Sequence, residues 1–310
     1  MNKFWELMAG KLADRWAATA VGALIFWAGG LLAAAYGARR DGGVNALIGP
    51  VARQPVAVQA SLAVLALVVV ATSCLVVRRL VSPVLALLQG PWRFGLGKVS
   101  EWASRRARDR AEKLNEQWQQ VASVDESSTP DEQQRLARLD ERLRRMPAPS
   151  SPAYFLPTPL GNVARAADVR IVERFGLAPA AVWPRLWLVL PESVREEFLS
   201  ARAAVDSCLS ALIWGAAFTF FGFFAWWAVL VGAATCVATA WFWLPARVAA
   251  FADLTESAFA LYRFQLYEQL RLPLPEDPDD EPGRGSDLSM YLHRGQRPRN
   301  AVFTSPEGKK

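Results

Sequence analysis

His293 is the only histidine in the 310-residue chain and lies in a tail expected to be disordered, which together remove most familiar chemistries at once. Triads built on serine or cysteine need a histidine base, an HExxH zinc site needs two histidines, and haem ligation by a pair is equally excluded. Neither a GxxxxGK[ST] loop nor a GxGxxG turn is present, so ATP hydrolysis and dinucleotide chemistry have no anchor. Cys74, Cys208 and Cys236 lie in or beside apolar runs without a CxxC pair, and read as small packing residues. An intramembrane aspartyl dyad would need two carboxylates at the midplane; Asp206 sits at the edge of the longest apolar run and Asp253 lies beyond it. No catalytic residue, metal ligand or cofactor is expected. The chain reads as non-enzymatic.

What remains is a set of polar residues in conspicuous places. Thr158 precedes Pro159 and can cap a helix, Gly161 in its first turn allows close backbone approach, and Asn162 can bond a neighbouring terminus. Arg185 stands alone in the apolar tract Ala180 to Leu190, between Trp183 and Trp187, and needs a carboxylate, a carbonyl or a lipid phosphate. Arg263, beside Tyr262 on an aromatic-rich helix, has the same need, with Glu256 or Glu268 as candidate partners. These residues are expected to lock helices together rather than to line a ligand site.

The elements that hold them are dominated by membrane-length runs. Ser207 to Ala246 contains no Asp, Glu, Lys, Arg or His across 40 residues. A single helix of that length would measure ~60 Å against a hydrocarbon core of ~30 Å. Two spans fit, with a turn near Gly222 to Trp227. Ala17 to Gly37 and Ala57 to Val77 supply two more, separated by a loop from Ala38 to Val56. Gly29, Ala33 and Gly37 are spaced four apart; this is either a helix-packing stripe or the ordinary small-residue content of a span. Met1 to Trp16 reads as an amphipathic helix, and Leu80 to Phe94, broken by Pro83, Gly90 and Pro91, as an interfacial tract.

Between the two pairs of spans the chain is helical and water-exposed. Lys98 to Ala122 carries Ala103, Ala107, Ala111, Leu114, Trp118 and Val121 on one side. Thr129-Pro130-Asp131-Glu132 opens a second helix with Leu136, Leu139, Leu143 and Met146 in phase, so the two form a hairpin or short coiled coil that needs a partner surface. Glu276 to Glu281 holds five acids in six residues, and the tail after it is expected to be disordered. Four regions follow: 1–97, with the amphipathic helix, first transmembrane hairpin and interfacial segment; 98–203, the helical region; 204–272, the second hairpin with its helical extension; and 273–310, the tail. The fold class is an all-α membrane protein of four transmembrane helices, arranged as two hairpins with a helical cytoplasmic region between them.

Charge sets the orientation. From Arg78 to Arg202 there are 20 Lys/Arg, the turn of the second hairpin has none, and the loop from Ala38 to Val56 has three. The positive-inside rule then puts the central region and both termini in the cytoplasm. The formal charge of +6 is concentrated beside a span, which favours anionic lipid head groups over nucleic acid as its counterpart.

Three patches resemble an uncharacterised family of bacterial multi-pass membrane proteins. They are Pro157-Thr158-Pro159-Leu160-Gly161-Asn162, similar to a PTxLGN signature; Trp183-Pro184-Arg185-Leu186 with Leu190-Pro191; and Leu261-Tyr262-Arg263-Phe264 with Leu272-Pro273-Leu274-Pro275. The resemblance implies four spans in a bacterial inner membrane and carries over no catalytic residue. Two functions fit. The first is a membrane anchor or scaffold that presents its cytoplasmic helices to a protein partner or to further copies of itself. The second is an oligomeric channel or pore-forming effector gated by those helices.

Overall fold

The computed structural model describes residues 21–41, 43–90, 97–122, 129–148, 154–275 and 277–295. The expected amphipathic helix Met1 to Trp16 lies outside them. Among the described residues every regular element is helical: α1 (Val21–Gly37), α2 (Val44–Ala52), α3 (Val56–Gln89), α4 (Gly97–Ala122), α5 (Pro130–Arg144), α6 (Pro159–Phe175), α7 (Pro179–Val189), α8 (Glu192–Phe218), α9 (Trp226–Ala238), α10 (Leu244–Gln269) and α11 (Glu281–Arg294). Three helical stretches are long and apolar enough to cross a membrane, namely Val56–Gln89, Glu192–Phe223 and Trp226–Gln269. The first expected span is described as a shorter apolar helix, Val21–Gly37.

Three expectations need correction. The loop Ala38 to Val56 contains a 3-10 turn, Ala38–Asp41, and the helix α2, which Gly43 enters at φ 60°. The tract from Leu80 is not a broken interfacial segment, because α3 runs through Pro83 to Gln89. One internal proline costs one ladder bond, and nothing else from Arg78 to Leu88 breaks a helix; the stop comes at Gly90, where φ is 93°. The third is the tail: residues 281–294 form α11, with Leu288 fully buried.

The chain divides into two compact units, residues 1–85 with 203–245, and residues 86–202 with 246–310. In the first, α1 packs on the segment that closes α8 and opens α9. The Phe26 ring lies 4.7 Å from Trp214 and 5.1 Å from Phe221, and Ala33 is buried with Ala225 and Ala228. A 3-10 turn, Thr219–Phe223, separates α8 from α9, close to the expected turn. Gly232 meets the backbone of Gly215, where a Cβ would stand 2.6 Å from the Gly215 carbonyl oxygen. Trp27 donates its indole N–H to the Ser73 hydroxyl at 3.2 Å, tying α1 to α3. Residues Thr239–Trp243 form a π-helical turn between α9 and α10, with Trp241, Phe242 and Trp243 exposed.

The second unit has a core of the kind found in water-soluble domains. Ile171, Phe175, Leu177, Val182, Leu186, Phe259, Leu266 and Leu288 are buried together from α6, the turn after it, α7, α10 and α11. Each such side chain contributes roughly 1.5–3 kcal/mol by leaving water. An aromatic cluster flanks this core: Trp183 lies 4.9 Å from Phe198 and 6.1 Å from Phe259, and Phe198 lies 5.8 Å from Phe251. In the same unit α4 and α5 pack on each other, with Ala111 and Leu139 buried. Thr129 caps α5 in a full capping box with Glu132, whose carboxyl the Thr129 backbone N–H holds below its ordinary range.

Candidate functional site

Thr158 works as a double clasp. It is the N-cap of α6, accepting from the Gly161 amide at 3.0 Å, and its hydroxyl donates to the Leu88 carbonyl at 2.5 Å. Leu88 belongs to the last turn of α3, whose carbonyls have no partner within the helix. One hydroxyl therefore serves an orphan amide of one helix and an orphan carbonyl of another. Gly161 makes the approach possible, since a Cβ there would lie 2.1 Å from the Gln89 carbonyl oxygen. The positive end of α6 thus faces the negative end of α3. Asn162, almost fully buried, accepts from the Leu156 amide at 2.7 Å and donates to the Leu156 carbonyl at 2.9 Å. It stitches the incoming chain to α6. Thr158 and Gly161 serve the attachment of α6 to α3, and Asn162 the attachment of the incoming chain to α6.

Arg263 is the second centre. Its partner is neither Glu256 nor Glu268 but Glu281, at the start of α11: the Nε of Arg263 donates to Oε1, and Nη2 stands 3.4 Å from Oε2. The two side chains are 14% and 9% exposed, so this is an ion pair largely withdrawn from water. The guanidinium also donates to the Ala260 carbonyl and lies 4.4 Å from the Phe175 ring centre and 4.1 Å from that of Phe264. The sequence misleads here because the i+5 and i−7 neighbours on one helix are easy to propose, whereas the partner is 18 residues on, in the acidic run of the tail expected to be disordered.

Around this pair α11 seats itself on the end of α6. Gly176 ends α6 in the left-handed region, at φ 66°, where a side chain would be strained. A Cβ on Gly176 would stand 1.8 Å from the Pro282 carbonyl oxygen, and one on Gly285 would stand 1.8 Å from that of Phe175. Ser289 completes the seat, accepting from the Ala178 amide at 2.8 Å and donating to the Gly176 carbonyl at 3.2 Å. The spacing Glu281, Gly285, Leu288, Ser289 and Leu292 marks one helical face, and was the signal available in the sequence. Tyr267 is buried beside this seat, and its hydroxyl finds no hydrogen-bond partner among the described residues.

Glu256 instead joins a network not foreseen in the sequence. Arg170 of α6 holds its Oε2 at 3.0 Å, and Arg144, at the end of α5, reaches the same oxygen at 3.6 Å and Asp253 at 3.3 Å. Arg170 also donates to the Arg144 carbonyl. The network ties α5 to α6 and α10. Nearby on α6, burial pushes the Asp168 carboxyl above its ordinary range, against the opposing pull of Arg165.

Arg185 finds a carbonyl, one of the three partners expected for it. It is exposed and donates to the Ala181 carbonyl, one turn back on its own helix, at 2.8 Å. The opposite side of α7, with Val182 and Leu186 fully buried, belongs to the core of the second unit and not to a membrane surface. Trp183 and Trp187 are half-buried, their rings 5.9 Å apart, and Tyr262 packs against the core and the aromatic cluster alike. In the first unit a Cβ on Gly29 would meet the Phe218 ring at 2.7 Å, and one on Gly37 the Phe224 carbonyl oxygen at 2.9 Å. With Ala33 buried between them, the stripe packs within the chain. On α5, which packs on α4, Leu139 is buried and Leu136 and Leu143 are half-buried.

Among the described residues no group of three His, Cys, Asp or Glu is placed to hold a metal ion. Compared with known protein families, with curated proteins and with solved structures, the chain shows no match.

Proposed function

We propose that the protein is a non-enzymatic membrane scaffold of a bacterial inner membrane, crossing the bilayer four times as two hairpins and holding a folded helical body in the cytoplasm. The observation that carries this reading is the fate of the polar residues singled out above. Thr158, Asn162 and Arg263 are each spent on joining one part of the chain to another. A catalytic or transport site keeps such groups facing a cavity; a scaffold spends them on rigidity. Three membrane-length helices, exposed aromatic rings at Trp226, Trp241 and Trp243, and the Arg-rich stretch after α3 support the membrane placement and its orientation. The partner of the body is a protein or a further copy of this chain.

The alternative, an oligomeric channel, draws on α3, whose residues from Val56 to Leu67 are almost all exposed and could line an assembly. One experiment separates the two. Purified protein in liposomes holding an ion gradient leaves the gradient intact for a scaffold. A reproducible single-channel conductance overturns the reading. Orientation is checked by a reporter active only in the cytoplasm, which should give signal at Lys113 and none in the Gly42 loop.

A further inference from the structure

The α4–α5 pair has one surface that its own packing does not explain. Large hydrophobic side chains left open on this pair are Val99 and Trp102, at 49% and 58% exposure, both in the first two turns of α4. None of the residues on α5 joins them. They share the outer face of α4 with Lys98, Arg105, Arg106, Arg110 and Lys113, all exposed, against Glu101 and Asp109. Arg106 lies over the Trp102 ring, 5.4 Å from its centre, and Arg105 leans back to Glu101 at 3.6 Å. The inner face, with Ala103, Ala107, Ala111 and Leu114, is occupied by α5.

We infer that this face of α4 seats on the anionic surface of the membrane from which α3 emerges, with Trp102 entering the head-group layer and the basic residues contacting lipid phosphates. Three observations converge on lipid. Tryptophan is the side chain most at home at the membrane–water boundary, because its ring is apolar and its N–H needs a polar neighbour. The surrounding charge is net positive, matching an anionic leaflet. The tether is short: Gly97 is eight residues past Gln89, so α4 starts within about 28 Å of the end of α3 at full extension. Two lone apolar side chains among charges are too small for a protein interface core, which buries a patch of aromatic and aliphatic anchors. They suit shallow insertion.

This inference rests on the membrane reading, and the test keeps the two apart. The full chain carrying the photo-crosslinking residue benzoylphenylalanine at position 102 is placed in vesicles of phosphatidylglycerol with a zwitterionic lipid, and in vesicles of the zwitterionic lipid alone. A second chain carries the probe at Gln117, exposed on the same helix but away from the basic turns. Lipid adducts at 102 should exceed those at 117 in anionic vesicles and fall several-fold in zwitterionic ones. Reversing Lys98 and Arg106 to Glu should lower the 102 adduct at least about tenfold, since each basic residue near a charged leaflet is worth about a factor of five. Equal, low lipid adducts at 102 and 117 in every vesicle overturn the inference, as does capture at 102 of added RNA in preference to lipid. Failure of the chain to stay with the vesicles through alkaline extraction overturns the membrane reading itself. Circular dichroism of each chain guards against a misfolded variant.

Discussion

Arg263 and Glu281 show how one pair can decide whether an element belongs to a fold. Taking both charges out of water is costly, and removing one partner leaves the other stranded. Arg263→Ala should therefore destabilise the second unit by about 3–5 kcal/mol, while Arg263→Met with Glu281→Leu should come close to wild type. Thermal melts of the wild type, the single and the double variant in detergent decide it; equal losses for the single and double variants would show that the pair contributes nothing specific. Asp168 gives the converse prediction. Its carboxyl is raised by burial, so its contribution is fully favourable below the ordinary value of 3.8 and is lost as pH rises through the higher folded value. Asp168→Asn should raise the melting temperature at neutral pH, with an advantage that shrinks as the pH falls through the folded carboxyl's raised range toward 3.8. A pH-independent difference would point to lost hydrogen bonding instead.

At the scale of elements, α11 is a helix only because of where it lies. Gly283 and Gly285 each cost a helix about 1 kcal/mol relative to alanine, and fourteen isolated residues are too few to hold helical structure in water. The seat on Phe175 and Gly176 supplies the difference. Gly285→Ala puts a methyl against the Phe175 carbonyl oxygen and should release α11, making the stretch from Pro273 to Asp280 open to limited proteolysis without loss of the spans; unchanged protection would mean the seat yields. This is also where the sequence was hardest to read. Thr158, Pro159 and Gly176 announce both ends of α6 by local chemistry, and Thr129 to Glu132 do the same for α5. The acidic run from Glu276 gives the local signature of a solvated tail, and the cation that neutralises its last member is on another helix. Pro83 misled in the opposite direction, because a proline signals a break whether or not its neighbours can carry the helix past it. Glycine spacing on α1 was legible, but its counterpart rings, Phe218 and Phe221, were not.

For the whole molecule, the first unit depends on how closely α1 approaches the rings of residues 218–224. Lipid offers little hydrophobic drive for that contact, so the fit of small residues against rings carries it. Gly29→Leu should then lower the melting temperature of the detergent-solubilised protein clearly, and Leu24→Ala, at an exposed position on the same helix, should not. Similar losses from both would assign α1 a role in bulk hydrophobicity rather than in fit. The three membrane-length helices and the helical character of the region from Gly97 to Val189 follow from length and composition in the sequence, whereas the attachments within each unit depend on residues far apart along the chain.

The seat of α11 also bears on the order of synthesis. Residues 281–294 leave the ribosome after every helix they cover, so Leu177, Leu266 and the end of α6 wait uncovered while α8, α9 and α10 are already made. The core of the second unit closes late, by return of a segment that cannot hold its own shape. A chain cut short before Glu281 would keep its apolar runs but lose the helix that covers the end of α6, and would present to proteases the surface that the finished protein hides.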